Sequence, residues 1–106
     1  MTVNKTSEPL FPKEKEDTIR ENYGDWQTNY EFAKSVCLYL KNRGIVPDIV
    51  VEPTCGVGNF IAAAIDVFET VKKVYGVEIF KGYVDQTEKK LQEYQKNNLI
   101  VSYELY

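Results

Sequence analysis

Apolar and polar positions alternate along the chain between two periods. Residues 30–43 place Phe32, Ala33, Val36, Cys37 and Leu40 on one stripe of a 3.6-residue period, which predicts a helix. Lys41 and Arg43 near its end suit the helix dipole, and Gly44 is a natural stop. The run Ile45-Val46-Pro47-Asp48-Ile49-Val50-Val51 is short and β-branched and reads as a buried parallel strand. Phe60, Ile61, Ala64, Ile65 and Phe68 share one face of a second helix, and Ala62, Ala63 and Ala64 are small enough for a close approach to a sheet. Val74-Tyr75-Gly76-Val77-Glu78-Ile79 reads as a second buried strand. Tyr83, Val84, Thr87, Leu91 and Tyr94 mark a third helix with Lys89, Lys90 and Gln92 outward, ended by Asn97-Asn98. Leu99, Val101, Tyr103 and Leu105 then alternate with Ile100, Ser102, Glu104 and Tyr106 as a third strand. A helix followed by βαβαβ predicts an α/β fold with three parallel strands in the order one, two, three, half of a doubly wound sheet.

The N-terminal residues carry little of this pattern. Residues 1–22 read as a flexible or partly helical arm, with a short charged helix possible over 13–21 and Leu10 and Phe11 available to pin it; residues 23–106 read as one domain. The length of 106 residues suits one domain and not two, and 43% hydrophobic residues allow a real core. With 13 basic and 16 acidic residues the net charge is −3, so the chain has no basic footprint for gripping a phosphate backbone. The absence of histidine removes any imidazole base or ligand. Cys37 and Cys55 give neither a zinc pattern nor a disulfide framework and read as small buried thiols. No signal peptide or apolar stretch approaching about 18 residues is visible, so a soluble, cytoplasmic chain is expected.

The candidate chemistry lies between the first strand and the second helix, in Glu52-Pro53-Thr54-Cys55-Gly56-Val57-Gly58-Asn59-Phe60. Gly56 can take a positive φ and reverse the chain, Pro53 stiffens the loop, Gly58 would let a ligand approach the backbone, and Asn59 is a candidate helix N-cap. Free amides at the helix start would face an anionic or polar group. A ligand-free βα turn would have the same glycines. The second strand adds weight, because Glu78 follows Gly58 by about 20 residues, the spacing of an acid that accepts from ribose hydroxyls. A dinucleotide fingerprint wants a small third residue where Ile61 stands, and no Gly-Lys-Ser/Thr follows for a phosphate loop. A nicotinamide oxidoreductase is thereby disfavoured.

The loop resembles the first motif of S-adenosylmethionine-dependent methyltransferases, above all the amino-methylating DNA methyltransferases of restriction–modification systems, in which an acid-Pro-x-Cys/Ala-Gly-x-Gly-x-Phe loop recurs. Val77-Glu78-Ile79 is similar to their acidic second-strand motif. Tyr23-Gly24-Asp25-Trp26-Gln27-Thr28-Asn29 resembles their N-terminal cofactor motif, departing from it at Asn29, where proline is usual. The resemblance implies the N-terminal half of a Rossmann-like methyltransferase sheet and S-adenosylmethionine as cofactor. It implies a cofactor site of Thr28, Glu52, Pro53, Thr54, Cys55, Gly56, Gly58, Asn59, Phe60, Glu78 and Ile79, with no metal. Thr28 is then either a hydroxyl donor to the cofactor carboxylate or the N-cap of the first helix. Trp26 lies beside the cofactor or caps the core. Glu52 either fixes the methionine end or braces its own turn.

The family's catalytic tetrad, Asp/Asn-Pro-Pro-Tyr/Phe, is not in the sequence, whose prolines are 9, 12, 47 and 53, and neither cysteine follows a proline. The sequence therefore reads as a cofactor-binding portion that ends before the catalytic motif and is inactive alone, with no catalytic residue of its own. DNA is expected as substrate of the complete enzyme, with weak or no binding by this chain. The first strand would present an open edge, so self-association or pairing with a companion chain is expected, and no membrane partner. A non-catalytic interaction module that keeps the topology is the alternative.

Overall fold

A computed structural model of the chain describes residues 27–106. The arm expected over 1–22, and Tyr23 to Trp26 of the N-terminal motif, lie outside the described residues. The order is α1 (Tyr30–Asn42), β1 (Ile49–Glu52), α2 (Asn59–Val67), β2 (Lys73–Gly76), α3 (Lys81–Lys96) and β3 (Ser102–Leu105). The three strands are parallel in the order β1-β2-β3, with Val50 beside Val74 and Val74 beside Tyr103. This is the α/β half-sheet that the periodicities predict, and the strands are shorter than the apolar runs. Ile45 and Val46 are exposed and precede β1, and Leu99 and Val101 are exposed before β3.

Alternation along the strands decides where the core lies. Val50, Val74, Tyr103 and Leu105 join one cluster with Ala33 and Cys37 of α1, Ile61, Ala63, Ala64 and Ile65 of α2, and Leu91 and Tyr94 of α3. The intervening Ile49 and Val51 are 49% and 65% exposed. Among the described residues, then, the helices cover one face of the sheet. In α1 only part of the expected stripe is buried: Ala33 and Cys37 are, whereas Phe32 is 61% exposed. The alanines of α2 are buried, as close packing requires.

The helix ends follow their local chemistry, with one departure. Asn29, not Thr28, caps α1: its Oδ1 accepts from the amides of Glu31 (2.8 Å) and Phe32 (3.2 Å). The helix starts at Tyr30, so the short carboxamide at 29 is the one that reaches those amides. Gly44 follows the cap with φ +89°, as a C-terminal glycine does. The Lys41 ammonium donates to the Val67 carbonyl at 3.2 Å and so closes the end of α2 as well. A carboxylate joins the three helices: Asp66 of α2 accepts from Tyr30 of α1 at 2.6 Å and from Tyr94 of α3 at 2.9 Å.

Candidate functional site

The β1 and β2 ladder continues past the strand ends, and this brings the glycine loop to the acid. The Val77 amide donates to the Glu52 carbonyl at 3.0 Å and the Cys55 amide to the Val77 carbonyl at 2.9 Å. Glu78 then faces the turn. Its Oε1 accepts from the Gly56 amide and its Oε2 from the Phe80 amide, both at 2.9 Å. The two features that the sequence placed together are therefore in direct contact. Glu78 follows β2 by two residues and is not its last residue, because the regular strand closes at Gly76. An ionised carboxylate has about four acceptor sites, and two amides leave room for hydroxyl donors.

The turn itself is built from alternating backbone directions. Gly56 has φ +55° and Gly58 φ +85°, both in the left-handed region. The Gly58 amide donates to the Cys55 carbonyl at 2.8 Å. Two side chains of α3 hold the carbonyls of the loop from below. The fully buried Thr87 hydroxyl donates to the Gly56 carbonyl at 2.8 Å, and the Lys90 ammonium donates to the Val57 carbonyl and, at 3.3 Å, to Asn59 Oδ1. Burial lowers the pKa of Lys90. On the opposite side the amides of Gly56 and Val57 meet Glu78 and the Gln27 carboxamide oxygen, the latter at 3.1 Å.

Several expected roles change. At Gly58 a Cβ would lie 3.1 Å from the Thr87 side chain, so the bare backbone there also makes room for α3. Gly58 is also the N-cap of α2, without a side-chain bond, which leaves Asn59 inside the helix. Asn59 is buried and uses its carboxamide as a strut, donating to the Thr28 carbonyl at 3.0 Å while receiving Lys90. Glu52 braces its own turn, accepting from the Thr54 amide at 3.1 Å. Lys90 points into the loop and not outward. A lysine stem can cross apolar surface to reach a carbonyl, which the helical period does not reveal.

Cys55 is buried beneath the loop, and burial pushes its thiol pKa up; Cys37 behaves likewise. Both are the small buried thiols expected. Pro53 and Thr54 are exposed on the rim, Phe60 is half-buried against the core, and Ile79, beside Glu78, is 81% exposed. The site thus combines a carboxylate, a glycine turn, a helix start and an open apolar rim at the carboxyl ends of β1 and β2. Gln27, Thr87 and Lys90 were missed as loop partners, and only their polar character at or near buried positions signalled them. Among the described residues no group of three or more His, Cys, Asp or Glu could hold a metal ion, and no helix is long and apolar enough to cross a membrane.

No protein-family model matches the chain. Over 68 residues, 64% of its length, it is 52% identical to the type II methyltransferase M.NspV of Nostoc sp., and the match spans 14% of that protein. Among solved structures it is similar to PH1948 of Pyrococcus horikoshii, described as an RNA methyltransferase (TM-score 0.61, 19% identity, 77% of this chain and 39% of that one). It is also similar to a methyltransferase from Geobacter sulfurreducens (TM-score 0.55, 14% identity, 92% and 50%). A third is an S-adenosylmethionine-dependent methyltransferase from Clostridium acetobutylicum (TM-score 0.51, 19% identity, 89% and 35%). The chain thus has the Rossmann-like fold of the methyltransferases and is, over those 68 residues, a sequence relative of a type II methyltransferase of which it spans about one-seventh.

Proposed function

We propose that this chain forms the S-adenosylmethionine-binding part of a DNA methyltransferase of the restriction–modification kind, acting on adenine N6 or another exocyclic amino group. The observation that carries the reading is the Glu78 carboxylate on the Gly56 amide, which joins the acid and the glycine loop in one site. Glu78 would take the ribose hydroxyls with the acceptor sites its two amides leave open. Ile79 offers an exposed apolar side chain to flank the adenine. The turn of Pro53, Thr54, Cys55, Gly56 and Gly58, with Asn59 and Phe60 at the start of α2 and Glu52 and Thr28 beside them, would hold the methionine end. The donor set fits such a ligand, with a carboxylate for a diol, backbone amides for a carboxylate and an apolar rim for a base. When bound, the cofactor supplies a methyl group on a sulfonium.

Transfer to a base needs a group that holds the exocyclic nitrogen, and this sequence has no adjacent prolines to form the tetrad that does so in similar enzymes. We therefore assign no catalytic residue to this chain and place base recognition in residues of another chain or another part of a longer protein. The acidic balance supports the same division, since DNA affinity rests on basic side chains.

Equilibrium dialysis with labelled S-adenosylmethionine tests the reading. The unaltered chain is expected to bind it saturably, and Glu78→Ala to lose at least tenfold in affinity, because charge-assisted hydrogen bonds are each worth about 1.5–3 kcal/mol. Equal binding by both proteins would count against the site. A second reading, a self-associating or partner-binding module, draws on the apolar Ile49 and Val51 of the sheet face that the described helices leave open. Its mark is a dimer or heteromer whose formation excludes the cofactor.

A further inference from the structure

One side chain occupies the loop where a ligand would be received. Gln27 lies three residues before α1, and its Oε1 accepts from the Val57 amide at 3.1 Å. The same carboxamide fills the space over the bare backbone of Gly56. A Cβ built there would fall 2.1 Å from Oε1, 2.8 Å from Cδ and 2.9 Å from Nε2. The adjoining main chain is fixed independently, since Asn59 holds the Thr28 carbonyl and Asn29 caps α1. The Gln27 carboxamide thus sits on the loop from a segment whose following main chain is held by other bonds.

We infer that the Gln27 carboxamide is a built-in competitor for the amino-acid end of the cofactor, seated on the glycine loop and displaced when the ligand's carboxylate arrives. This inference rests on the cofactor reading proposed above. One amide hydrogen has room for one well-aligned acceptor, so a carboxamide oxygen and a carboxylate oxygen cannot share the Val57 amide. Glu78 differs, because each of its oxygens keeps acceptor capacity beside its amide and can receive hydroxyls without leaving. On the next peptide the Lys90 ammonium donates to the Val57 carbonyl, and a positive charge that near favours an anion over a neutral carboxamide at the Val57 amide. The device weakens binding of ligands with no carboxylate least and makes the ligand-free loop self-satisfied.

Calorimetry on the full chain with two probes separates the outcomes. S-adenosylhomocysteine carries the amino-acid end, and 5′-methylthioadenosine lacks it. Gln27→Ala and the bulk-preserving Gln27→Met are expected to bind S-adenosylhomocysteine roughly three- to tenfold more tightly, the return of one neutral hydrogen bond. Both are expected to bind 5′-methylthioadenosine as the unaltered chain does. Unchanged or weakened S-adenosylhomocysteine binding in variants that still bind 5′-methylthioadenosine overturns the inference and leaves the cofactor reading standing. Binding of neither probe by the unaltered chain overturns the cofactor reading and the inference with it. Circular dichroism melts identify a misfolded variant, and the methionine variant then decides.

Discussion

At the scale of single residues, the loop depends on groups that hold its peptides from both sides. Thr87→Val keeps the shape of the side chain and leaves the buried Gly56 carbonyl without its hydroxyl donor. A buried acceptor stripped of its partner costs about 1–3 kcal/mol, so urea denaturation should show a loss in that range. Gly56→Ala combines a left-handed backbone, costing about 1–2 kcal/mol for a residue with a Cβ, with displacement of the Gln27 carboxamide from its place over the loop. It should destabilise the chain more than Gly44→Ala, where φ is +89° but nothing lies near the added carbon, and paired denaturation curves check the difference. Gly56, Glu78 and the two buried cysteines were legible in the sequence because glycine spacing, an acid at a strand end and apolar surroundings are local signals. Thr87 sits on the apolar stripe of α3 and looks like core, and Lys90 looks like solvent. Their hydrogen bonds to the loop exist only after α3 docks, and no local pattern encodes docking. Asn59 illustrates the converse error: its identity suggests a cap, and the positive φ of Gly58 gives the cap position to the glycine.

At the scale of elements, Asp66 is the tie between helices. Its hydrogen bond to Tyr30 pushes the phenol pKa up from 10.0 to about 12, with burial adding to the shift, and burial together with Asp66 also raises that of Tyr94. The folded state thus prefers the neutral phenol. The associated stability is fully present below the unfolded value near pH 10 and is lost as pH rises through about 12, because the unfolded chain ionises first. Urea midpoints measured across that window should fall for the unaltered chain and fall less steeply for Tyr30→Phe. The helices and their order were readable from the 3.6-residue period, and so was the parallel βαβαβ order. The strand limits were not, because the apolar runs that suggested longer strands extend into connecting segments where Ile45, Val46, Leu99 and Val101 stay exposed. An apolar residue in a run carries no mark of whether its backbone finds a neighbouring strand.

At the scale of the whole molecule, the described helices cover one sheet face and leave Ile49 and Val51 on the other open to solvent. Burial of apolar surface is favourable at about 25 cal/mol per Å², so on the self-associating reading proposed above this is the face expected to pair. On that reading, sedimentation at increasing concentration should show a larger species, and Val51→Lys should return the chain toward monomer; a chain that stays monomeric throughout would remove the self-associating reading. The central claim is separate from association: the glycine turn and Glu78 form one adenosyl site. Its most direct test is a nuclear magnetic resonance titration of the isotope-labelled chain with S-adenosylmethionine, following the amides of Gly56 and Phe80, which both donate to Glu78. The account predicts that both resonances move along one saturation curve and that Glu78→Ala abolishes the movement. Resonances that stay fixed at saturating ligand, or that shift only at residues remote from the turn, would contradict it.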